Sequence, residues 1–234
     1  MRALLTIVTI LSVSMLYGQG KETRTTGQFL DIDIQGPFKV KLIKGDVGKL
    51  KIDSEAIPLD EIITDVRGKQ LVVKLKSRVY LKEKYYDADY IQLEISYDKI
   101  EEIEVSMGCQ LAMSDAITQD YLRVESTMGA ELELDIKVEE LISKVSMGGI
   151  VNARGTAEYA EIVASMGGEF HGTDLQSEKT DVRSGMGGYV SIYSSERLKG
   201  SASMGGVIRY TGDPDRKNTS TVLGGEIYRK KDGN

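Results

Sequence analysis

Apolar and polar residues alternate through much of this chain. Clear examples are the segments 29–34 and 38–43, and similar alternating segments recur up to Ile95. Alternation with a period of two is typical of strands that bury one face. No segment of comparable length has a convincing helical period. The pattern therefore predicts an all-β protein.

A short phrase, most often Ser-Met-Gly-Gly, returns seven times between residues 106 and 225. Its second position is occupied by Met107, Met128, Met147, Met166, Met186, Met204 and Leu223, which are 21, 19, 19, 20, 18 and 19 residues apart. Such a period indicates a solenoid, in which each repeat buries its apolar side against its neighbours. We predict a parallel β-helix-like solenoid with about 19–20 residues per repeat, capped by the strands that precede the repeats.

Strand parity assigns the residues of the phrase to two sides. Apolar residues two and four positions before the Met, and four positions after it, share its parity, so we expect the Met side chains to form a buried column. The Ser or Thr before each Met should face outward. The glycines should form corners that need unusual backbone angles or close backbone approach. They are Gly148, Gly149, Gly167, Gly168, Gly187, Gly188, Gly205, Gly206, Gly224 and Gly225.

Composition and the N-terminus narrow the function classes. The net charge of −6 and the pI near 5.1 argue against nucleic acid as the main partner. Residues 1–18 resemble a secretory signal peptide, because an apolar run too short to span a membrane follows Arg2. We therefore expect an exported protein of the periplasm or cell surface, without a transmembrane segment in the mature chain.

The remaining sequence divides into a polar linker and one domain. The linker is predicted at 19–28 and the solenoid domain at 29–234. Within that domain we expect N-terminal strands at 29–100, the repeats at 101–228 and a polar tail at 229–234.

The strongest binding candidate in the sequence is a charged and aromatic stretch at 76–90. Its rings belong to Tyr80, Tyr85, Tyr86 and Tyr90, which lie among lysines and acidic residues. Such rings can stack on sugars or contact a protein. The alternative is a long hairpin loop whose tyrosines fold against the sheet edge.

Candidates for catalysis and metal binding are weaker. Clustered thioethers can bind copper(I), but a buried Met column favours packing, so we expect no metal and no cofactor. His171 is the only histidine and Cys109 the only cysteine. The best carboxylate patch, formed by Glu161, Asp181 and Arg183, would suit a polysaccharide-cleaving enzyme, yet no catalytic set of residues emerges. A non-enzyme is expected, with a carbohydrate-active enzyme and a structural envelope scaffold as the alternatives.

The recurring phrase also resembles that of the head GIN domain family of auto-transporter adhesins, found in exported proteins of Bacteroidetes-type bacteria. The resemblance covers roughly residues 29–228. The family phrase is typically Ser-Gly-Ala-Gly; here Met takes the first Gly position and Gly takes the Ala position. The segment 210–214, Tyr-Thr-Gly-Asp-Pro, resembles the family's Tyr-x-Gly-x-Pro.

This resemblance implies a right-handed β-helix-like fold, an exported location and a surface role, and it carries over no catalytic or ligand residues. We therefore expect a non-catalytic binding or adhesion module. Its repetitive β surface would face a glycan or protein partner, with oligomers as an option.

Overall fold

The computed structural model describes residues 20–45, 48–80 and 90–230, and nearly all of its regular structure is strand. The signal peptide predicted at 1–18 lies outside this part of the chain, as do Tyr85, Tyr86 and the tail from residue 231. The strands are β1 (Gly20–Thr25), β2 (Asp31–Gln35), β3 (Phe38–Lys44), β4 (Lys49–Ser54), β5 (Ile62–Arg67), β6 (Gln70–Leu75), β7 (Ile91–Tyr97), β8 (Glu102–Ser106), β9 (Gln110–Met113), β10 (Ile117–Ser126), β11 (Glu131–Val145), β12 (Ile150–Ser165), β13 (Glu169–Gly185), β14 (Tyr189–Tyr193), β15 (Arg197–Ser203), β16 (Val207–Thr211), β17 (Arg216–Val222) and β18 (Glu226–Arg229). A short 3-10 helix, Leu59–Glu61, precedes β5. Within the described ranges, no helix is long and apolar enough to cross a membrane.

The strands build an all-β solenoid of about seven turns. Residues before each corner phrase form one track of parallel strands, in the order β6, β2, β8, β10, β11, β12, β13, β15, β17. Residues after the phrase form a second track, in the order β7, β3, β9, β11, β12, β13, β14, β16, β18. The long strands β11, β12 and β13 bend and contribute to both tracks. The predicted fold class is confirmed.

The order of coils in space differs from their order along the chain. β2 pairs with both β6 and β8, and β3 pairs with both β7 and β9. The coil formed by β2 and β3 therefore lies between two coils that follow it in sequence. From β8 onward each new coil stacks on the preceding one.

Antiparallel strands close the N-terminal end. β5 pairs with β6 on the first track, while β4 pairs with β7 and β1 pairs with β4 on the second. β1 lies within the predicted polar linker, so residues 20–25 of that segment are sheet. At the other end β18 includes Arg229, the first residue of the predicted tail.

The core lies between the tracks and follows the predicted parity on both sides of each corner. Val145, Val182 and Phe170, at positions two and four before the Met and four after it, have no more than 1% of their surface exposed. Side chains of alternating strand residues from stacked coils thus form one continuous apolar core. Burial of these methyl groups and rings is the main favourable contribution to folding.

The predicted buried Met column is wrong. The six Met side chains are between 39% and 50% exposed, and Leu223 is 76% exposed. All seven residues have positive φ, between 46° and 58°, and so does the Gly that follows each of them. Two successive left-handed residues turn the chain at the corner, so strand alternation ends there and the Met points outward.

The last residue of the phrase faces the neighbouring coil. A Cβ built on Gly188 would lie 2.6 Å from the carbonyl oxygen of Ala164, whereas one built on Gly187 would meet no atom within 4 Å. At this corner the second Gly is therefore needed for close backbone approach, and the first favours the left-handed conformation. In the first two copies Cys109 and Ala130 occupy the second Gly position, and both are fully buried.

Candidate binding groove

A groove of about 820 Å³ crosses the outer face of the second track at its N-terminal end. Its walls and floor come from β1, β4, β7, β3, β9 and β11, so it runs across the strands and along the solenoid. Side chains reach it because every second residue of these strands points away from the core. We call this depression the groove. Its size is in the range of pockets that hold small ligands or part of a polymer.

Register brings distant parts of the sequence together in the groove. Lys39 of β3 lies opposite Gln110 of β9, which lies opposite Glu131 of β11. In the adjacent row, Lys41, Ala112 and Glu133 occupy the corresponding positions. Two lysines thus flank β9 on one side and two glutamates on the other. Since neighbouring strands are about 4.8 Å apart, the two charged pairs are separated by roughly 10 Å.

Some charged side chains of the groove form ion pairs, whereas others have no partner of opposite charge among the described residues. Lys51 Nζ lies 2.6 Å from Glu94 Oε1, and Lys21 Nζ lies 2.9 Å from Asp53 Oδ2. In contrast, Lys39, Lys41 and Glu133 form no ion pair with any described residue. These three side chains, with Glu131, are the charges most available to a partner.

A second depression of about 440 Å³ continues along the same track and shares Met113 and Glu133 with the groove. It contains His171, whose Nε2 lies 3.0 Å from Glu169 Oε2. The ring of His171 is 5.6 Å from that of Tyr189, and the guanidinium of Arg209 lies 5.9 Å from the centre of the Tyr189 ring. This extension adds aromatic and basic groups to the polar surface.

The predicted tyrosine cluster does not contribute to either depression through its described members. Tyr80 and Tyr90 are 36% and 40% exposed. Tyr80 lies near the corner at Gly36, and its partial burial raises the pKa of its hydroxyl. Tyr85 and Tyr86 lie outside the described residues, so their part in binding stays a prediction.

Charged rows cover the outer face of the first track as well. Glu161, Asp181 and Arg183 are brought together there, but the carboxylates are ion-paired. Arg183 Nη1 lies 3.2 Å from Glu161 Oε1, and Arg197 Nη2 lies 3.2 Å from Asp181 Oδ1. The expected carboxylate patch is therefore a salt-bridge network, similar to those that cover solvated sheet faces.

Farther along the first track three acidic residues lie side by side. Glu104 of β8 is in register with Asp33 of β2 and with Glu125 of β10. Partial burial, followed by the neighbouring carboxylates Glu102, Asp33 and Glu125, raises the pKa of Glu104. Partial burial also raises the pKa of Asp33. The carboxylates in this row lie side by side and repel one another.

The described residues contain no cluster of three or more His, Cys, Asp or Glu side chains that could hold a metal ion. Cys109 is buried in the core, and this burial raises the pKa of its thiol to about 12. Its chemistry is that of a small packed residue, because the thiolate is the reactive form.

Sequence reasoning missed Lys39, Lys41, Glu131 and Glu133. Their alternation with apolar residues places them on an outward face, and that signal is visible in the sequence. Their proximity is not visible, because it depends on the insertion of the β2–β3 coil beside β9.

Solved structures of similar architecture come from Bacteroides and Parabacteroides species. A putative adhesin from Bacteroides fragilis superposes with a TM-score of 0.81 and 17% identity, covering 92% of this chain and 98% of that one. A putative lipid binding protein from Parabacteroides distasonis gives 0.70 and 18%, and a putative adhesin from Parabacteroides merdae gives 0.61 and 16%, both with the same coverages. At these identities the likeness concerns the fold. No curated protein sequence matches the chain significantly.

The family assignment rests on the sequence itself. Residues 28–214 match the model of the family described as putative auto-transporter adhesin, head GIN domain. This match spans most of the chain and includes the first six corner phrases. The chain therefore belongs to the head GIN domain family.

Proposed function

We propose that the protein is an exported, non-catalytic binding module of adhesin type that takes a protein segment in the groove. Membership of a family described as adhesins supports a role in binding or adhesion. The observation that carries the specific proposal is the pair of opposed charges across β9, with Lys39 and Lys41 on one side and Glu131 and Glu133 on the other.

The charge pattern suits an extended peptide segment. Three residues of extended chain span about 10 Å, which matches the separation of the lysine and glutamate pairs. An acidic side chain of the partner would face Lys39 and Lys41, and a basic one would face the two glutamates. Complementary charges of this kind set orientation and increase the rate of encounter. Gln110 and Ala112 between them leave space for the partner backbone.

The test is a binding comparison between two charge-matched double variants. The purified protein would be used to capture partners from bacterial envelope and host-cell surface protein fractions, with a glycan array in parallel. Lys39→Glu/Lys41→Glu should reduce capture at least about tenfold, since losing one partner of a charge pair that is buried on binding costs roughly 2 kcal/mol or more. Lys144→Glu/Lys179→Glu changes the same charge on the first track and should leave capture unchanged.

Three other outcomes would change the proposed site or the class of partner. Equal capture by the two double variants would contradict the groove as the site. Binding to the glycan array that is lost in Lys39→Glu/Lys41→Glu would replace the protein partner by a glycan. A loss confined to Tyr85→Ala/Tyr86→Ala would move the site to the 76–90 stretch.

A further inference from the structure

The six Met residues at the corners are not required by the backbone. Each occupies the first central position of a tight turn with positive φ, and the turn is closed by a hydrogen bond such as Gly168 N–H to the Ser165 carbonyl, 2.9 Å. A left-handed conformation costs an ordinary L-residue about 1–2 kcal/mol, and Gly, Asn or Asp is preferred in turns of this type. Met is among the less suitable residues for this position.

The core does not require them either. About half of each Met side chain is exposed, and the buried apolar core is formed by the strand residues on either side of the corner. The seventh corner makes the same point, because Leu223 adopts the same left-handed conformation with φ of 51°. The turn therefore accepts a side chain that has no sulfur.

The corners are locked into a regular row. In each of the five intervals, the amide of the first Gly of one corner donates a hydrogen bond to the Met carbonyl of the next corner, at 3.1–3.3 Å. These five hydrogen bonds link Gly108 to Met128, Gly129 to Met147, Gly148 to Met166, Gly167 to Met186 and Gly187 to Met204. Consecutive Met backbones thus repeat at the spacing of the coils, about 4.8 Å.

That spacing has a chemical consequence for thioethers. Metal–sulfur bonds are roughly 2.3 Å long, so one ion bonded to two sulfurs in line spans about 4.6 Å. Thioether sulfur is a soft ligand that selects copper(I) over hard divalent cations. Flexible Met side chains on a fixed row of backbones can therefore place pairs of sulfurs around one monovalent ion, open to solvent on the outer side.

We propose that the row Met107, Met128, Met147, Met166, Met186 and Met204 binds copper(I) between the thioethers of consecutive corners. The Met side chains are exposed rather than packed in a buried column, so their sulfurs are accessible to a metal ion. Six thioethers taken two at a time give a capacity of about three ions. The inference is independent of the groove, which lies on the second track.

Silver(I), an air-stable soft cation of the same charge, is the probe. The protein would be labelled with carbon-13 at the Met methyl groups and titrated with silver nitrate, with native mass spectrometry to count ions. We expect the methyl signals of the six corner Met residues to shift, the Met113 signal to stay in place, and about three ions to bind.

Variants separate the Met row from other soft ligands. Met147→Leu/Met166→Leu/Met186→Leu copies the residue found at the seventh corner and leaves one adjacent pair, Met107 and Met128, so binding should fall from about three ions to one. Cys109→Ala, which copies Ala130, and His171→Gln should keep the wild-type count.

Three results would overturn the proposal. They are corner methyl signals that do not move in the wild-type protein, an unchanged count in the triple Leu variant, and loss of binding in Cys109→Ala or His171→Gln. The wild-type methyl spectrum decides the matter even where a variant folds poorly.

Discussion

At the scale of single residues, the corner phrase assigns a different task to each position. The Met begins the left-handed turn and its side chain points outward. The first Gly completes the turn, and the second Gly lets the backbone of the neighbouring coil approach. Parity correctly predicted which strand residues are buried on both sides of the corner. It failed for the Met because alternation holds only while the chain stays extended, and the sequence does not show where two left-handed residues interrupt it.

The two glycines of one corner should therefore differ in their response to substitution. Gly188→Ala places a Cβ against the carbonyl of Ala164, which the backbone can relieve only by shifting, so we expect a loss of about 3 kcal/mol or more in the free energy of unfolding, at the upper end of the cost of overpacking. Gly187→Ala meets no atom and should cost only the left-handed conformation, about 1–2 kcal/mol. Denaturant unfolding of both variants measures the difference, and equal losses would contradict this division of roles.

At the scale of elements, the register of neighbouring strands decides whether surface charges help or oppose folding. Arg123 Nε lies 2.7 Å from Glu102 Oε1 across the β8–β10 pair, a favourable contact. Two residues along the same strands, Glu104 and Glu125 place like charges side by side. Both rows alternate with buried residues on β8 and β10, so both lie on the outer face of the first track.

Removing the charge of Glu104 should stabilise the protein near neutral pH. Its folded-state pKa is raised, so ionisation costs folding free energy as the pH rises through the interval from the ordinary glutamate pKa to the raised value. Glu104→Gln should gain roughly 0.2–1 kcal/mol at about pH 7, with solvent screening favouring the lower end. The gain should vanish near pH 3, below the ordinary pKa of roughly 4.3.

Thermal unfolding at several pH values tests this expectation. Glu161→Gln is the matched control, because Arg183 lies beside that carboxylate and its removal should be neutral or slightly destabilising. A Glu104→Gln variant that is less stable than wild type near pH 7 would show that the like-charge row is compensated elsewhere.

At the scale of the whole molecule, stability should vary along the solenoid. In the part of the chain that the structure describes, β12 and β13 are paired on both sides, while β17 pairs with β15 alone and is exposed along its full length. Interactions in such a fold are mainly between neighbouring coils. Amides that open locally exchange faster than those that require global unfolding.

Native-state hydrogen exchange should therefore show a gradient. We expect the amides of β17 and β18 to exchange at least about tenfold faster than those of β12 and β13, because the terminal coil can open without disturbing the rest. Uniform exchange rates over these strands would mean that the solenoid unfolds only as one cooperative unit.

Much of the repeat region could be predicted from the sequence. Repeat length, strand content and the buried positions of β8 to β16 follow from periodicity alone. The groove does not, since Lys39 and Glu131 are far apart in sequence and flank β9 because a coil from the N-terminal region lies beside it in the stack. Antiparallel pairing of β1 with β4 was also hidden, because the polar sequence of residues 20–25 lacks the alternation of a buried strand.

The position of the β2–β3 coil between two later coils determines the order in which the chain can fold. These strands precede both of their neighbouring coils in the sequence, and the second neighbour is complete only at Met113. Residues 29–113 must therefore come together as one long-range step, which is slow because distant segments have to meet. Each later coil can then stack on a coil that has already formed, in the order of the sequence. A chain cut within the first half would thus lack a nucleus, whereas one cut at a later corner would end as a shorter solenoid.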